Sequence, residues 1–105
     1  MKLPTSIKQQ WLEALRSGKY EQNTGRLECD GKYCCLGVLQ KVLDGDVERY
    51  HNDMAQSLPT TSWCEKHELA DQFRKDYSAE IDLAYLNDNF EYSFEQIADV
   101  IENNM

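Results

Sequence analysis

The stretch Asp30 to Leu39, DGKYCCLGVL, narrows the folds open to this chain more than any other. Asp-Gly is a dipeptide favoured by a type I′ turn, in which both central residues take positive φ. It lies between RLEC and KYCC, and the combination predicts a short β-hairpin. From about Cys34 the pattern changes period. Leu36, Leu39, Val42 and Leu43 recur as one face of a helix that Gly45 ends. Strand therefore gives way to helix at the adjacent pair Cys34–Cys35. Gly37, inside that helix, costs about 1 kcal/mol relative to alanine, which implies backbone packed close against it.

Helices account for most of the rest. PTSIKQQWLEALRSGKY predicts a first helix capped by Thr5 or Ser6, with Ile7, Trp11, Ala14 and Leu15 on one face and Gly18 at its stop. Residues 46–60 form a polar connection punctuated by Pro59, with a short extended piece expected around Met54–Leu58. SWCEKHELADQFRKDY predicts a helix capped by Thr61 or Ser62, with Trp63, Leu69 and Phe73 inward. SAEIDLAYLNDN gives a shorter one capped by Ser78. YSFEQIADVIENNM opens on the capping box Ser93-x-x-Gln96 and presents Phe94, Ile97 and Ile101. With 105 residues, one domain is expected over residues 1–105. The reading is α+β: a small, helix-rich single domain with about four to five helices packed around one short β-hairpin.

Charge bounds the partners. Net charge is −8, and its distribution is uneven. Residues 1–41 hold seven Lys/Arg against four acids, whereas residues 42–105 hold four against fifteen. Direct nucleic-acid binding is therefore not expected, since it needs an extended basic surface to neutralise phosphates. An anion site in the basic N-terminal part and an acidic face for a basic partner both stay open. No apolar run approaches the roughly 20 residues of a membrane span. MKLPTSIKQQ lacks the apolar core of a signal peptide, so the expected location is cytoplasmic. There the four cysteines, Cys29, Cys34, Cys35 and Cys64, are expected as thiols.

Three constellations carry candidate chemistry. A cysteine at a helix N-terminus can have its thiolate stabilised, which makes Cys34 or Cys35 a candidate nucleophile with His51 or His67 as base. The histidines follow no protease spacing, and small buried thiols suit a tight hairpin-to-helix joint, so both cysteines are read as structural. Cys64-x-x-His67 places two zinc-type ligands one helical turn apart, but adjacent Cys34 and Cys35 are awkward partners for a tetrahedral site. No metal, cofactor or catalytic residue is assigned. The third constellation is Arg16, Ser17, Lys19, Tyr20, Gln22, Thr24 and Arg26. It gathers three cations, hydroxyls and an amide within eleven residues, a pattern suited to an anionic or nucleotide-like ligand. Arg16, Lys19 and Arg26 are expected to converge on one pocket near the end of the first helix, with Tyr20 stacking on a base. It contains no P-loop match.

ALRSGKYEQNTGRLECDGKYCCLGVL and LNDNFEYSFEQIADVIE together resemble two blocks of small, mostly uncharacterised proteins of tailed bacteriophages, cyanophages among them, and of some bacteria. The matching parts run from Ala14 to Leu39 and from Leu86 to Glu102, under half of the chain. The resemblance implies an accessory role in the cytoplasm of an infected bacterial host and supplies no activity, cofactor or catalytic residue. A small acidic protein of that kind is expected to work by binding. One target is a small anionic, nucleotide-derived ligand sequestered in counter-defence. The alternative is a host protein, met by the acidic half as an inhibitor or nucleic-acid mimic. A cysteine- or zinc-dependent protein comes third.

Overall fold

The computed structural model describes residues 3–50, 52–56, 58–67, 69, 87–88 and 92–104. Among these, four helices surround a small sheet, so the fold is α+β and helix-rich. In chain order the elements are α1 (Thr5–Arg16), β1 (Glu21–Gln22), β2 (Glu28–Cys29), β3 (Lys32–Tyr33), α2 (Cys35–Asp44), α3 (Thr61–Lys66) and α4 (Phe94–Asn104). Helix α1 packs against both α2 and α4.

The hairpin forms where the Asp-Gly pair predicts it. Asp30 and Gly31 take φ of 52° and 80°, both left-handed, and β2 pairs antiparallel with β3 through Glu28–Tyr33 and Cys29–Lys32. The sheet also holds a strand the sequence reading lacks. β1 pairs parallel with β3, Glu21 opposite Lys32 and Gln22 opposite Tyr33, which gives the order β1-β3-β2. Two residues show no alternation, so no period announces such a strand.

The expected inward faces are largely buried, with Ile7, Ala14, Val42 and Leu43 only partly so. Trp11 and Leu15 of α1, Leu36, Val38 and Leu39 of α2, and Phe94, Ile97 and Ile101 of α4 form the core with Leu27, Trp63, Cys64 and Leu69. Trp11 keeps its indole polar atom satisfied by donating to the Cys35 carbonyl at 2.9 Å. Both halves of the capping box on α4 are made. Gln96 N–H donates to Ser93 Oγ, and Ser93 N–H donates to Gln96 Oε1.

Two caps lie elsewhere than expected. Helix α1 starts behind Pro4, which stands at the N-cap and offers no side-chain bond, and Lys8 N–H donates to the Pro4 carbonyl. Helix α3 is capped by Thr60 rather than Thr61 or Ser62, because Thr60 Oγ1 accepts from Trp63 N–H while its own hydroxyl is held by Glu48. Helix α3 ends at Lys66. The expected continuation to Tyr77, Phe73 included, and the helix capped by Ser78 lie outside the described residues, apart from Leu69, Asn87 and Asp88. Within the 46–60 connection, Arg49 bridges antiparallel to Ala55, an extended pairing that begins slightly before the stretch expected.

Candidate functional site

The Cys34–Cys35 pair sits at the N-terminus of α2, and both thiols are buried. Cys34 is the N-cap, its Sγ accepting from Gly37 N–H at 3.3 Å. The Leu27 carbonyl lies over this first turn and accepts from Cys34 N–H at 3.3 Å. A Cβ on Gly37 would come within 1.8 Å of that carbonyl oxygen, which accounts for the glycine. Burial pushes the Cys34 thiol up to about 11 and holds the Cys35 thiol well above the ordinary thiol range, despite the backbone N–H groups that pull the other way. A helix N-terminus cannot make a thiolate where water is excluded. Both groups are neutral near pH 7, which fits packing rather than nucleophilic attack.

Asn87 completes this joint from the far end of the chain. Its side chain is fully buried. Its Oδ1 accepts from Gln22 Nε2 at 2.8 Å and from Cys35 N–H at 3.3 Å, while Nδ2 donates to the Asn23 carbonyl at 2.8 Å. Asp88 then accepts from Gly25 N–H at 3.0 Å. The two residues thus clamp the loop after β1 onto the start of α2.

The expected anion pocket is not assembled. Arg16 turns to α4 and pairs with Asp99 and Glu102, each at 2.8 Å. Arg26 donates instead to the Ala55 carbonyl at 3.0 Å. Ser17, Lys19 and Tyr20 line a shallow cleft of about 360 Å³ with Gln10, Glu13, Ala14 and Val42. Gln22 and Thr24 line a different one with Asn23, Cys29, Asp30 and Lys32. Tyr20 packs edge-on against Tyr33, with ring centroids 5.5 Å apart. The convergence of Arg16, Lys19 and Arg26 is therefore corrected: Arg16 and Arg26 follow acceptors of their own, two carboxylates already neutralise Arg16, and Lys19 alone of the three lines the cleft with Ser17 and Tyr20.

The C-terminal end of α2 holds polar groups that the sequence reading passed over. Asp44 accepts from Trp63 Nε1 through Oδ2 at 2.6 Å, and its Oδ1 lies 3.0 Å from His67 Nε2. His67 is thereby turned to a carboxylate, while its proposed zinc companion Cys64 is buried. Among the described residues, no group of three or more His, Cys, Asp and Glu is placed to hold a metal. His51 lies outside the described residues. Buried Gln40 donates to Glu48 Oε1 at 2.7 Å and accepts from Glu48 N–H at 2.8 Å. Glu48 Oε1 also accepts from Thr60 N–H. A signal for Gln40 existed, since it stands at i+4 from Leu36 on an apolar stripe where a polar residue needs a partner.

Beyond Glu48 the chain turns back on itself. Arg49 Nη2 binds Glu28 at 2.8 Å and Asp46 at 3.1 Å, and Nη1 donates to the Asp53 carbonyl at 3.1 Å. Glu28 is held below the usual carboxylate range first by the Gly31 N–H and then by Arg49; Asp46 is lowered chiefly by Arg49. At the tip, Tyr50 N–H donates to the Met54 carbonyl at 2.8 Å, and Asp53 takes a left-handed φ of 64°. Tyr50 and Met54 are 50% and 43% exposed, the large hydrophobic side chains left to solvent among the described residues.

A family model described as "Domain of unknown function (DUF8296)" matches residues 3–105. No curated protein and no solved structure matches the chain.

Proposed function

We propose that this chain, which belongs to the DUF8296 family, is a non-catalytic binding protein that presents an acidic surface to a basic protein partner. The observation that carries this reading is where the arginines go. Every arginine among the described residues is bound to acceptors of its own chain: Arg16 to Asp99 and Glu102, Arg26 to the Ala55 carbonyl, Arg49 to Glu28, Asp46 and the Asp53 carbonyl. The Arg16 and Arg49 forks are already occupied by carboxylates, and Arg26 is turned to a backbone carbonyl. Exposed acids lie at Asp53, Glu65 and Glu95, besides Asp46, Asp99 and Glu102, which pair with the arginines, in the part of the chain where acids outnumber bases fifteen to four. Such a surface favours encounter with basic partners and disfavours nucleic acid.

The setting proposed is the one the resemblance implies, a bacteriophage accessory protein in the cytoplasm of the infected host, with counter-defence as its purpose. A second reading, capture of a small anionic ligand, keeps some support from the cleft that Ser17, Lys19 and Tyr20 share, although Glu13 faces the same space.

Native mass spectrometry of the tagged protein recovered from host lysate tests the two readings together. The first expects a protein partner at fixed stoichiometry that is lost as salt rises beyond about 0.15 M, where the Debye length is about 8 Å. A retained nucleotide-sized mass with no protein partner would overturn it in favour of the second.

A further inference from the structure

Resting on the reading of an acidic protein-binding surface, we infer that the Tyr50–Met54 tip is the anchor of that surface, inserting into an apolar recess flanked by Lys or Arg on the partner. Its geometry is that of a minimal two-stranded ladder. Arg49 and Ala55 are bridged, so Tyr50 and Met54 stand opposite each other one step further along. Successive side chains alternate faces. Ala55 is 2% exposed and packs inward, which sends Tyr50 and Met54 outward together as a cross-strand pair.

Scattered exposed apolar residues are ordinary. This pair differs in how it is held. The Arg49 guanidinium ties the tip to Glu28 at the sheet and to Asp46 at the end of α2, and also to the Asp53 carbonyl beneath the turn. Asn52 Oδ1 accepts from Met54 N–H at 3.2 Å. Most of the ordering that binding normally costs has thus been met on folding. Tyr supplies a large rigid surface with a polar end, and Met adapts to irregular recesses.

Charge complementarity selects the occupant. Among the described residues at this turn, Glu28 and Asp46 share the cation Arg49 and Asp53 is exposed, so acids outnumber bases, and both Glu28 and Asp46 stay ionised because of the hydrogen bonds they accept. A partner of acidic surface is repelled, and a second copy of this acidic chain is disfavoured for the same reason. A basic protein surface with an apolar centre fits both components.

Two lysine-rich peptides of equal length and charge serve as probes, one with Leu and Phe between its lysines and one with Ser in their place. The apolar peptide should bind the native protein about tenfold more tightly, as expected when anchors find an apolar partner. It should shift the backbone amides of residues 49–55. The double variant Tyr50→Ser, Met54→Ser, with unchanged melting, should lose that preference and bind the serine peptide as before. If the double variant keeps the preference, the tip is not the anchor, while salt-sensitive binding of both peptides leaves the acidic surface standing. If neither peptide binds at low salt, the acidic surface itself falls and the anchor with it.

Discussion

Helix α2 is closed at one end by a thiol, a glycine and a buried amide, and at the other by carboxylates. At the N-terminal end Cys34 caps the helix, Gly37 admits the Leu27 carbonyl, and Asn87 satisfies the polar groups that converge there. At the C-terminal end Asp44 holds Trp63 and His67, and Glu48 joins Gln40 to Thr60. The first end is dry and tightly packed, so a change there is paid in stability. The second, where buried Gln40 and Trp63 meet the part-exposed Asp44 and His67, reaches water and leads directly into the braced turn at Arg49. Function placed on the second end can vary without disturbing the core, whereas the cysteines that draw the eye belong to the end where chemistry is suppressed.

The sharpest way to break this contrast is Gly37→Ala. The added Cβ would meet backbone rather than a flexible side-chain end, with the Leu27 carbonyl oxygen at 1.8 Å and its carbon at 2.7 Å. The loss should exceed the roughly 1–3 kcal/mol of ordinary overpacking, and urea unfolding should show little folded protein. Near-native stability would mean that the joint is looser than the contact implies.

Asn87→Ala comes next. It removes one hydrogen bond each from Gln22 Nε2, which keeps the Tyr92 carbonyl, from Cys35 N–H and from the Asn23 carbonyl. Leaving buried groups unpaired costs about 1–3 kcal/mol each before relaxation, so a total of about 3 kcal/mol is expected. Hydrogen exchange should then accelerate first in the loop after β1.

The two cysteines should separate. Cys35→Ser buries a hydroxyl in an apolar site and should cost about 1–3 kcal/mol, while Cys34→Ser places a preferred capping oxygen where Sγ now accepts from Gly37 N–H and should change stability by less. Alkaline titration sharpens the point. An unfolded thiol ionises near the ordinary 9.0 and folded Cys34 near 11, so between those values the native state holds more protons than the unfolded one. Stability is then fully present below pH 9 and falls as pH rises towards 11, by at most about 1.4 kcal/mol per unit for each such thiol. Cys34→Ser should flatten that limb. A limb unchanged by the substitution would show that another group carries it.

What could be read in the sequence was local. The Asp30-Gly31 turn, the Ser93–Gln96 box and the glycine at position 37 each announce themselves within a few residues, and each is present as expected. Where several neighbours offered the same group, the choice lay elsewhere: Thr60 rather than Thr61 or Ser62 caps α3 because Glu48, twelve residues away, holds its hydroxyl. The Arg16–Arg26 cluster failed for a related reason. Adjacency in the chain placed three cations together, but the acceptors that position Arg16 lie 83 and 86 residues further on. The polar groups at the end of α2 were missed because Asp44 and Glu48 look like any other members of an acidic surface until their partners are known.

The smallest effect is expected at that polar end. Asp44→Asn keeps the shape of the side chain and leaves one oxygen to accept from Trp63 Nε1, while the group facing His67 becomes a donor or is turned away. What is lost is the charge in one hydrogen bond and the second partner, worth about 1 kcal/mol at a site that water still reaches. Thermal melting should therefore drop only slightly, and the Trp63 environment should change in near-ultraviolet circular dichroism while the far-ultraviolet spectrum stays the same. Binding of the apolar lysine-rich peptide should persist, because the Tyr50–Met54 turn is braced by Arg49, Glu28 and Asp46 and not by Asp44. A loss of peptide binding on this substitution would show that the two parts of the polar end are coupled, and that the turn depends on α3 for its position.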